Sequence, residues 1–389
     1  MCEPQKERRA LSEVTRSAFE NKRIVLFSGG SAANDVAREI ATKNRRCLHF
    51  MSPFDSGGST AALRNAFDMP AIGDLRNRLM AIADDSIPGY AAIARLLEHR
   101  LPPSGAAEAL RLELEQMSRL DHVLTEEIPH AIALVISEQL QHIVKQLPDS
   151  INLQGASIGN LVIAGSYLNS SCNLDRALAL FATIVAARGE VRAIVNDSAH
   201  LFAYLNNGRL VAEQHRLTGK ETPPIESPVR SIFLSADSMI AAPIDLYLDD
   251  RNAQEIRAAE LLCFAPGSFY SSLLATLIPL GVGDAVAASK GKKVFIPNLG
   301  KDPEQLGMNF EALVLTLIKA LRRDDIAVKV ASLIDYIVVD SSRGCYPSAI
   351  PAAELAKLGI ELVDVALISD DSAPYYNPQK LVQVLQSLV

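Results

Sequence analysis

Cysteine is scarce in this sequence. Its five cysteines are spread over 389 residues, and no two of them form a Cys-x-x-Cys pair. A zinc ribbon is therefore not expected, because its ligands come in such pairs. We expect buried free thiols, which are typical of proteins in the reducing cytosol.

A long apolar run is absent too. No stretch approaches the roughly 20 apolar residues that a membrane-spanning helix requires. The charged start, MCEPQKERRALSEVTRS, also lacks the apolar segment of a signal peptide. We therefore expect a cytoplasmic protein without a membrane partner.

An excess of basic residues is likewise missing. The 38 Lys and Arg residues are outnumbered by 45 Asp and Glu residues, which gives a net charge of -7. A nucleic-acid partner is not expected, because a phosphate backbone requires a basic face. A small anionic ligand remains compatible with this charge, since a local site can be positive on an acidic protein.

Strand and helix patterns alternate along much of the chain and predict a parallel α/β fold. Residues 24–27 form an apolar strand, which is followed by a glycine turn, an apolar helical stripe over residues 33–41 and a second strand at 47–51. Further strands are predicted at 191–195, 201–205, 209–213, 231–234, 261–264, 294–296 and 336–339. Further helices are predicted at 109–124, 128–147, 159–168, 174–187 and 309–321.

The predicted domain organisation is simple. Residues 1–22 are a polar lead-in, and residues 23–389 are one α/β domain. The stretch from about 75 to 150 has almost no strand pattern and several prolines between helical patterns, so we expect a helical insertion there.

Four loops combine glycine with hydroxyl or amide side chains. Glycine lets the backbone approach a ligand closely, and a helix start offers unpaired N–H groups to a phosphate. An ordinary turn explains each loop alone about as well, but loops at the carboxyl ends of parallel strands would line one crevice. The loops are Ser28-Gly29-Gly30-Ser31, Asp55-Ser56-Gly57-Gly58-Ser59, Gly155-Ala156-Ser157-Ile158-Gly159-Asn160 and Ala265-Pro266-Gly267-Ser268.

The stretch around residues 55–78 adds two acids and several cations. Asp55 and Asp74, together with diphosphate oxygens, would form a reasonable Mg²⁺ shell. The hydroxyls of Ser56, Ser59 and Thr60 and the cations Arg64, Arg76 and Arg78 are groups that bind phosphate. A solvated loop explains any single residue here, whereas the cluster favours a functional site.

Two alternatives stay open for individual residues. Asn196 and Asp197 follow a predicted strand and would suit contact with a base or ribose, although a strand-end turn is an equally good explanation. No G-x-G-x-x-G is present in the first loop, yet Asp55 lies where a dinucleotide-binding protein has its ribose-binding acid. A nicotinamide-dependent oxidoreductase therefore remains a minor alternative.

Taken in order, these segments resemble the CofD/YvcK family, which includes 2-phospho-L-lactate transferase of deazaflavin cofactor biosynthesis and UDP-sugar-binding gluconeogenesis factors of the YvcK type. The resemblance runs from about residue 24 to the C-terminus. It also includes Gly-Asp-Leu-Arg-Asn at 73–77 and Asn-Asp-Ser-Ala-His-Leu at 196–201. It departs from the YvcK-type pattern at Ser31-Ala32, at Ser56 in place of a second acid, and at Ala156 in place of a histidine.

The resemblance implies a Rossmann-like three-layer α/β fold with a nucleotide diphosphate of the GDP or UDP type in the crevice. It implies a transferase that moves a phosphoryl-linked group to a small acceptor; the alternative is a non-catalytic UDP-sugar sensor, and a homodimer is compatible with either. Asp55 and Asp74 would be catalytic and hold Mg²⁺. The implied nucleotide-binding residues are Gly29, Gly30, Ser31, Ser56, Gly57, Gly58, Ser59, Arg76, Asn77, Ser157, Gly159, Asn160, Asn196, Asp197, Gly267 and Ser268.

Overall fold

The structure is a computed structural model that describes residues 19–389 except 213, 220–222 and 301. Most of the predicted polar lead-in, residues 1–18, lies outside the described residues. The strands are β1 Ile24–Phe27, β2 Cys47–Met51, β3 Glu190–Ala193, β4 His200–Leu205, β5 Leu210–Ala212, β6 Val229–Ser235, β7 Pro243–Ile244, β8 Leu261–Phe264, β9 Lys292–Phe295, β10 Tyr336–Val339 and β11 Glu361–Asp364.

Helices connect most of these strands. They are α1 Asn34–Lys43, α2 Gly58–Phe67, α3 Gly73–Ala81, α4 Tyr90–Glu98, α5 Ala107–Ser118, α6 His130–Val144, α7 Ile158–Asn169, α8 Leu174–Ile184, α9 Gln214–Thr218, α10 Asp250–Ala258, α11 Ala275–Leu277, α12 Val282–Ala288, α13 Phe310–Leu321, α14 Ala352–Lys357 and α15 Pro378–Ser387. A π-helical segment, Phe269–Leu274, leads directly into α11. None of the described helices is both long and apolar enough to span a bilayer.

Seven strands form one parallel sheet in the order β11-β10-β9-β8-β1-β2-β3. The chain first moves outward from β1 through β2 to β3. It then returns to β8, on the other side of β1, and continues outward to β11. The strand order therefore reverses between β1 and β8, and ligands of open α/β sheets bind outside the carboxyl ends of strands at such a reversal.

Both faces of this sheet are covered. Along β1, Val25 and Phe27 pack into one apolar core, whereas Ile24 and Leu26 pack into another, as the two-residue period of a strand requires. Helices α1 and α15 cover the second face, and α10 to α13 cover the first together with a small antiparallel sheet of order β5-β4-β6-β7. This arrangement confirms the predicted three-layer, Rossmann-like α/β fold.

The connection from β2 to β3 contains α2 to α8 and no strand. These helices share an apolar cluster of their own, in which α6 packs directly on α7. An added Cβ on Gly165 of α7 would lie only 2.1 Å from the carbonyl oxygen of Gln139, so glycine permits this close contact. The predicted helical stretch at about 75–150 lies within this connection, and its assignment as an insertion in one domain stays a prediction.

Candidate functional site

The loops after β1 and β8 touch at the point of strand reversal. An added Cβ on Gly267 would lie 3.2 Å from the carbonyl oxygen of Gly29, and one on Gly29 would lie 2.5 Å from Cβ of Ser272. Glycine is therefore required at position 29, and a side chain at position 267 would make a tight contact with the first loop. The structure brings these two predicted loops together.

Helix α3 holds the first of these loops through both polar groups of one residue. The N–H of Gly30 donates to Oδ2 of Asp74 over 3.1 Å, and its carbonyl accepts from Arg78 over 3.4 Å. Arg78 also donates to the carbonyl of Ala33 over 3.5 Å. Because Asp74 and Arg78 lie one helical turn apart, both side chains contact Gly30 from the same face of α3.

Arg78 is fully buried, which is unusual for an arginine. Burial lowers its pKa to about 10, and the negative charge of Asp74 opposes that decrease. The guanidinium therefore remains a cation at neutral pH. The Nδ1 atom of His49, another fully buried residue, lies 3.4 Å from it.

Asp55 lies beside the start of the same helix. An added Cβ on Gly73 would be 2.8 Å from Oδ2 of Asp55 and 2.7 Å from Oγ1 of Thr60. The N–H of Gly57 donates to Oδ1 of Asp55 over 3.0 Å. Burial, followed by the nearby charge of Asp74, raises the pKa of Asp55 to about 7. The two predicted carboxylates are therefore close enough to influence each other.

A second set of predicted residues forms a network behind this acid pair. The guanidinium of Arg76, which is mostly buried, donates to Oγ of Ser157 and to Oδ1 of Asn77. Ser157 caps α7 by accepting from the N–H of Asn160 over 3.5 Å, and the Asn160 amide donates to Thr60 over 3.4 Å. Their contact with a nucleotide stays a prediction, because the structure shows them bonded to one another.

Gly159 has a packing role in this network. An added Cβ there would lie 2.6 Å from the carbonyl oxygen of Leu97 and 2.8 Å from Cδ of Arg76. The segment Gly155–Gly159 also spells G-x-S-x-G, the nucleophile motif of α/β-hydrolases. Here it follows no strand of the sheet, and its serine is a buried helix cap bonded to Arg76, so it does not form a nucleophile elbow.

A cavity of about 630 Å³ opens beyond the carboxyl ends of β1, β8 and β9. This volume lies within the range of small-molecule sites, roughly 300–1,000 Å³. Its polar lining comes from the loops after these strands, from the first turn of α1 and from the segment before α15. The residues include Ser31, Asp35, Ser268, Asn298, Asp302 and Tyr375.

The helical segment after β8 has its first N–H groups occupied by carboxylates. Phe269 donates to Asp302 over 2.9 Å, and Tyr270 and Ser271 donate to Glu304 over 2.7 and 2.9 Å. Glu304 is fully buried, and burial, followed by the charge of Asp302, raises its pKa to about 7. A phosphate near Gly267 and Ser268 would therefore have to use the loop rather than this helix start.

The remaining predicted residues lie around the same edge of the sheet. Oγ of Ser56 lies 3.0 Å from Nδ1 of His215 in α9. Gly58 and Ser59 begin α2, with Gly58 exposed. Asn196 and Asp197 are exposed after β3, which β2 separates from β1.

Several residues at the site were missed by sequence reasoning. Asp74 and Arg78 were predicted as site residues, and their spacing of four places both on one helix face, but their contact with Gly30 was missed because it joins two elements. Glu304, Asp302, Asn298 and Tyr375 belong to no recognisable motif. They reach the site only because β9 and the C-terminal segment fold next to β8.

The acid pair fits only one type of magnesium site. Among the described residues, no group of three or more His, Cys, Asp or Glu side chains is arranged to hold a metal. Magnesium commonly binds one or two carboxylates and takes its other ligands from substrate phosphates and water. Asp55 and Asp74 therefore fit an ion that arrives with a phosphorylated ligand.

Comparison with known proteins agrees with this architecture. The family model described as "2-phospho-L-lactate transferase CofD" matches residues 24–367. The chain belongs to the CofD family. This CofD-family protein is 23% identical to the gluconeogenesis factor of Bacillus subtilis over 355 residues, which cover 88% of this chain and 90% of the relative.

Two further comparisons extend over nearly the whole chain. The putative gluconeogenesis factor of Nostoc sp. is 23% identical over 385 residues, covering 95% of this CofD-family chain and 69% of the relative. A crystal structure of a UPF0052-family protein from Bacillus halodurans matches with a TM-score of 0.69 at 19% identity, covering 93% of this chain and 98% of that one. The structural match shows the shared fold.

Proposed function

We propose that this CofD-family protein binds a nucleoside diphosphate derivative at the strand reversal and transfers its phosphoryl-linked group to a small acceptor. The observation that carries the proposal is the cavity of about 630 Å³ beyond β1 and β8, next to the loop that Asp74 and Arg78 hold. Reversal points of this kind are the usual nucleotide sites of open α/β sheets.

The charges of the lining suggest how such a ligand would lie. Asp35 and Asp302 are acceptors suited to ribose hydroxyls or to N–H groups of a base, and they would repel a phosphate. The exposed Tyr375 offers an aromatic face for a base. The diphosphate would then extend along Gly29, Gly30 and Ser31 toward the acid pair.

Asp55 and Asp74 would act at the end of the ligand that carries the group to be transferred. An acceptor hydroxyl would form the new oxygen–phosphorus bond as the bond to the departing nucleoside monophosphate breaks. Asp55, with a pKa near 7, is suited to take the hydroxyl proton. Mg²⁺ held by Asp74 would supply charge neutralisation at the phosphates. Asp55 would act as the base only while it is not itself a metal ligand, because a bound cation would lower its pKa.

A thermal-shift panel tests ligand binding. GDP, UDP, GTP, UDP-sugars and NADH are each tested with and without Mg²⁺, because a ligand at 100 times its Kd adds about 2.7 kcal/mol of stability. We expect stabilisation by a GDP- or UDP-type ligand in the presence of Mg²⁺. Asp74→Asn should abolish the Mg²⁺-dependent part, whereas Asp121→Asn, at an exposed carboxylate, should not. Stabilisation by NADH alone would instead favour an oxidoreductase.

A second candidate is a nucleotide-sugar sensor without turnover. The similarity to proteins named gluconeogenesis factor favours it, as do Ser56 and Ala156 at positions where the family pattern has an acid and a histidine. Incubation of a stabilising ligand with candidate hydroxyl acceptors separates the two. Release of nucleoside monophosphate that Asp55→Asn abolishes supports the transferase, and saturable binding without release supports the sensor.

A further inference from the structure

A second cavity, of about 490 Å³, lies between β6, α13 and the helical segment Phe269–Leu277. Its floor is apolar and includes Tyr270, Leu274, Ile278 and Ile318, each at most 5% exposed. At its rim, Leu315 is 45% exposed and Ile326 is 85% exposed. The opening therefore leads from solvent onto a continuous apolar surface.

Among the residues that the structure describes, four cationic side chains and no acidic side chain line this cavity. They are Arg230, Lys319, Arg322 and Arg323. Such a concentration of positive charge is notable on a chain whose net charge is -7. The cavity therefore combines an apolar interior with a positive rim.

Two of these cations are held in place by the protein. Nε of Arg322 donates to the carbonyl of Val328 over 2.7 Å. Arg323 donates to the carbonyl of Ile278 and pairs with Asp245 at the surface. Arg230 and Lys319 are exposed, and their charges are free of ion pairs with the described residues. A cation without a carboxylate partner is open to a ligand's negative charge.

We propose that this cavity binds an amphiphilic anion, with an unbranched acyl chain on the apolar floor and its carboxylate at the cationic rim. Charge complementarity favours this occupant. A free phosphate would leave the apolar floor exposed to water, and a neutral apolar partner would not interact with the positive charge of the rim. The proposal is independent of the proposed function, because no described residue lines both this cavity and the nucleotide cavity.

Dodecanoate, below its micelle concentration, is a suitable probe. The chain contains no tryptophan, so Leu315→Trp places a single tryptophan, which can be excited selectively, at the rim of the cavity. We expect a saturable change in its emission on titration with dodecanoate, and a matching saturable heat by calorimetry with the unmodified protein. Inorganic phosphate should produce neither signal.

Charge reversal at the rim provides the decisive comparison. Arg230→Glu combined with Lys319→Glu should weaken dodecanoate binding at least about tenfold, since both changes replace attraction with repulsion. Lys290→Glu combined with Lys357→Glu makes the same change of charge at exposed positions outside the cavity lining, and affinity should stay within about twofold.

Three results would overturn the proposal. The first is the absence of saturable dodecanoate binding in both measurements. The second is equal affinity for dodecanol, or unchanged affinity after rim reversal, since either would mean unspecific apolar adsorption. The third is a dimer, detected by light scattering, that dissociates on rim reversal, because the cavity would then be a contact between two copies of the chain.

Discussion

Asp55 is a carboxyl group held beside a second carboxylate in a mostly buried position, and both features act on its pKa in the same direction. Burial and the charge of Asp74 raise this pKa to about 7, against the partial opposition of the Gly57 N–H and Arg64. In the unfolded chain the pKa of an aspartate is about 3.9. The folded state therefore binds this proton more tightly than the unfolded state does.

The sign of the pH effect follows from this difference. The contribution of Asp55 to stability is fully present below about pH 4 and is lost as pH rises through about 7, because the unfolded state releases its proton first. Urea unfolding across this window should show that Asp55→Asn removes part of the decline in stability. Glu304 titrates in the same direction, so the difference between the two proteins isolates Asp55. A difference that does not vary with pH would contradict the assigned environment.

Helix α3 acts as an element that fixes the loop after β1. Replacing Arg78 with Met keeps most of the side-chain volume but removes the donors to Gly30 and Ala33 and the charge beside Asp74. We expect a loss of roughly 1–3 kcal/mol in the free energy of unfolding, the range for leaving buried hydrogen-bonding groups without their partner. Urea denaturation measures this loss.

A surface arginine provides the matched control. Arg38 forms an exposed pair with Asp35, three residues earlier on α1, so Arg38→Met should cost less than about 1 kcal/mol. If both variants lost the same small amount, the α3 contacts would not be holding the loop.

Elements also differ in how well the sequence predicts them. The bounds predicted for β1, β2, β8 and β10 agree with the structure, because buried parallel strands are short, continuous apolar runs. Strand β11 was missed, since its sequence ELVD has acidic ends and its side chains are only partly buried at the sheet edge. Helix α5 ends at Ser118, earlier than predicted, where the polar Ser-Arg-Leu-Asp turn begins.

Cysteine burial was predicted correctly for only some of the cysteines. Cys47 and Cys263 are buried free thiols as predicted, but Cys172 and Cys345 are exposed, so that prediction was wrong for them.

The proximity of the acid pair could be predicted because Asp55 and Asp74 are close in sequence. The carboxylates on the helical segment after β8 could not be, since Glu304 reaches it from the loop that follows β9.

Across the whole molecule, the candidate site joins two parts that are far apart in the chain. The helical connection between β2 and β3 supplies Asp55 and Asp74, and the loops after β8 and β9 supply the cavity. A nucleotide ligand that spans both parts would restrain both. A ligand confined to the cavity would leave α3 and its N-terminal residues unaffected.

Amide hydrogen exchange distinguishes these cases. With Mg²⁺ and whichever nucleotide stabilises the protein, exchange should slow both at residues 55–60 and 73–78 and at residues 298–300 and 374–376, because binding suppresses local opening where it makes contacts. Asp74→Asn should reduce the protection of the first two segments while leaving the last two protected, since those line the cavity itself. Protection of the cavity segments alone in the unmodified protein would show that the ligand does not reach the acid pair, and the transfer chemistry assigned to it would then be untenable.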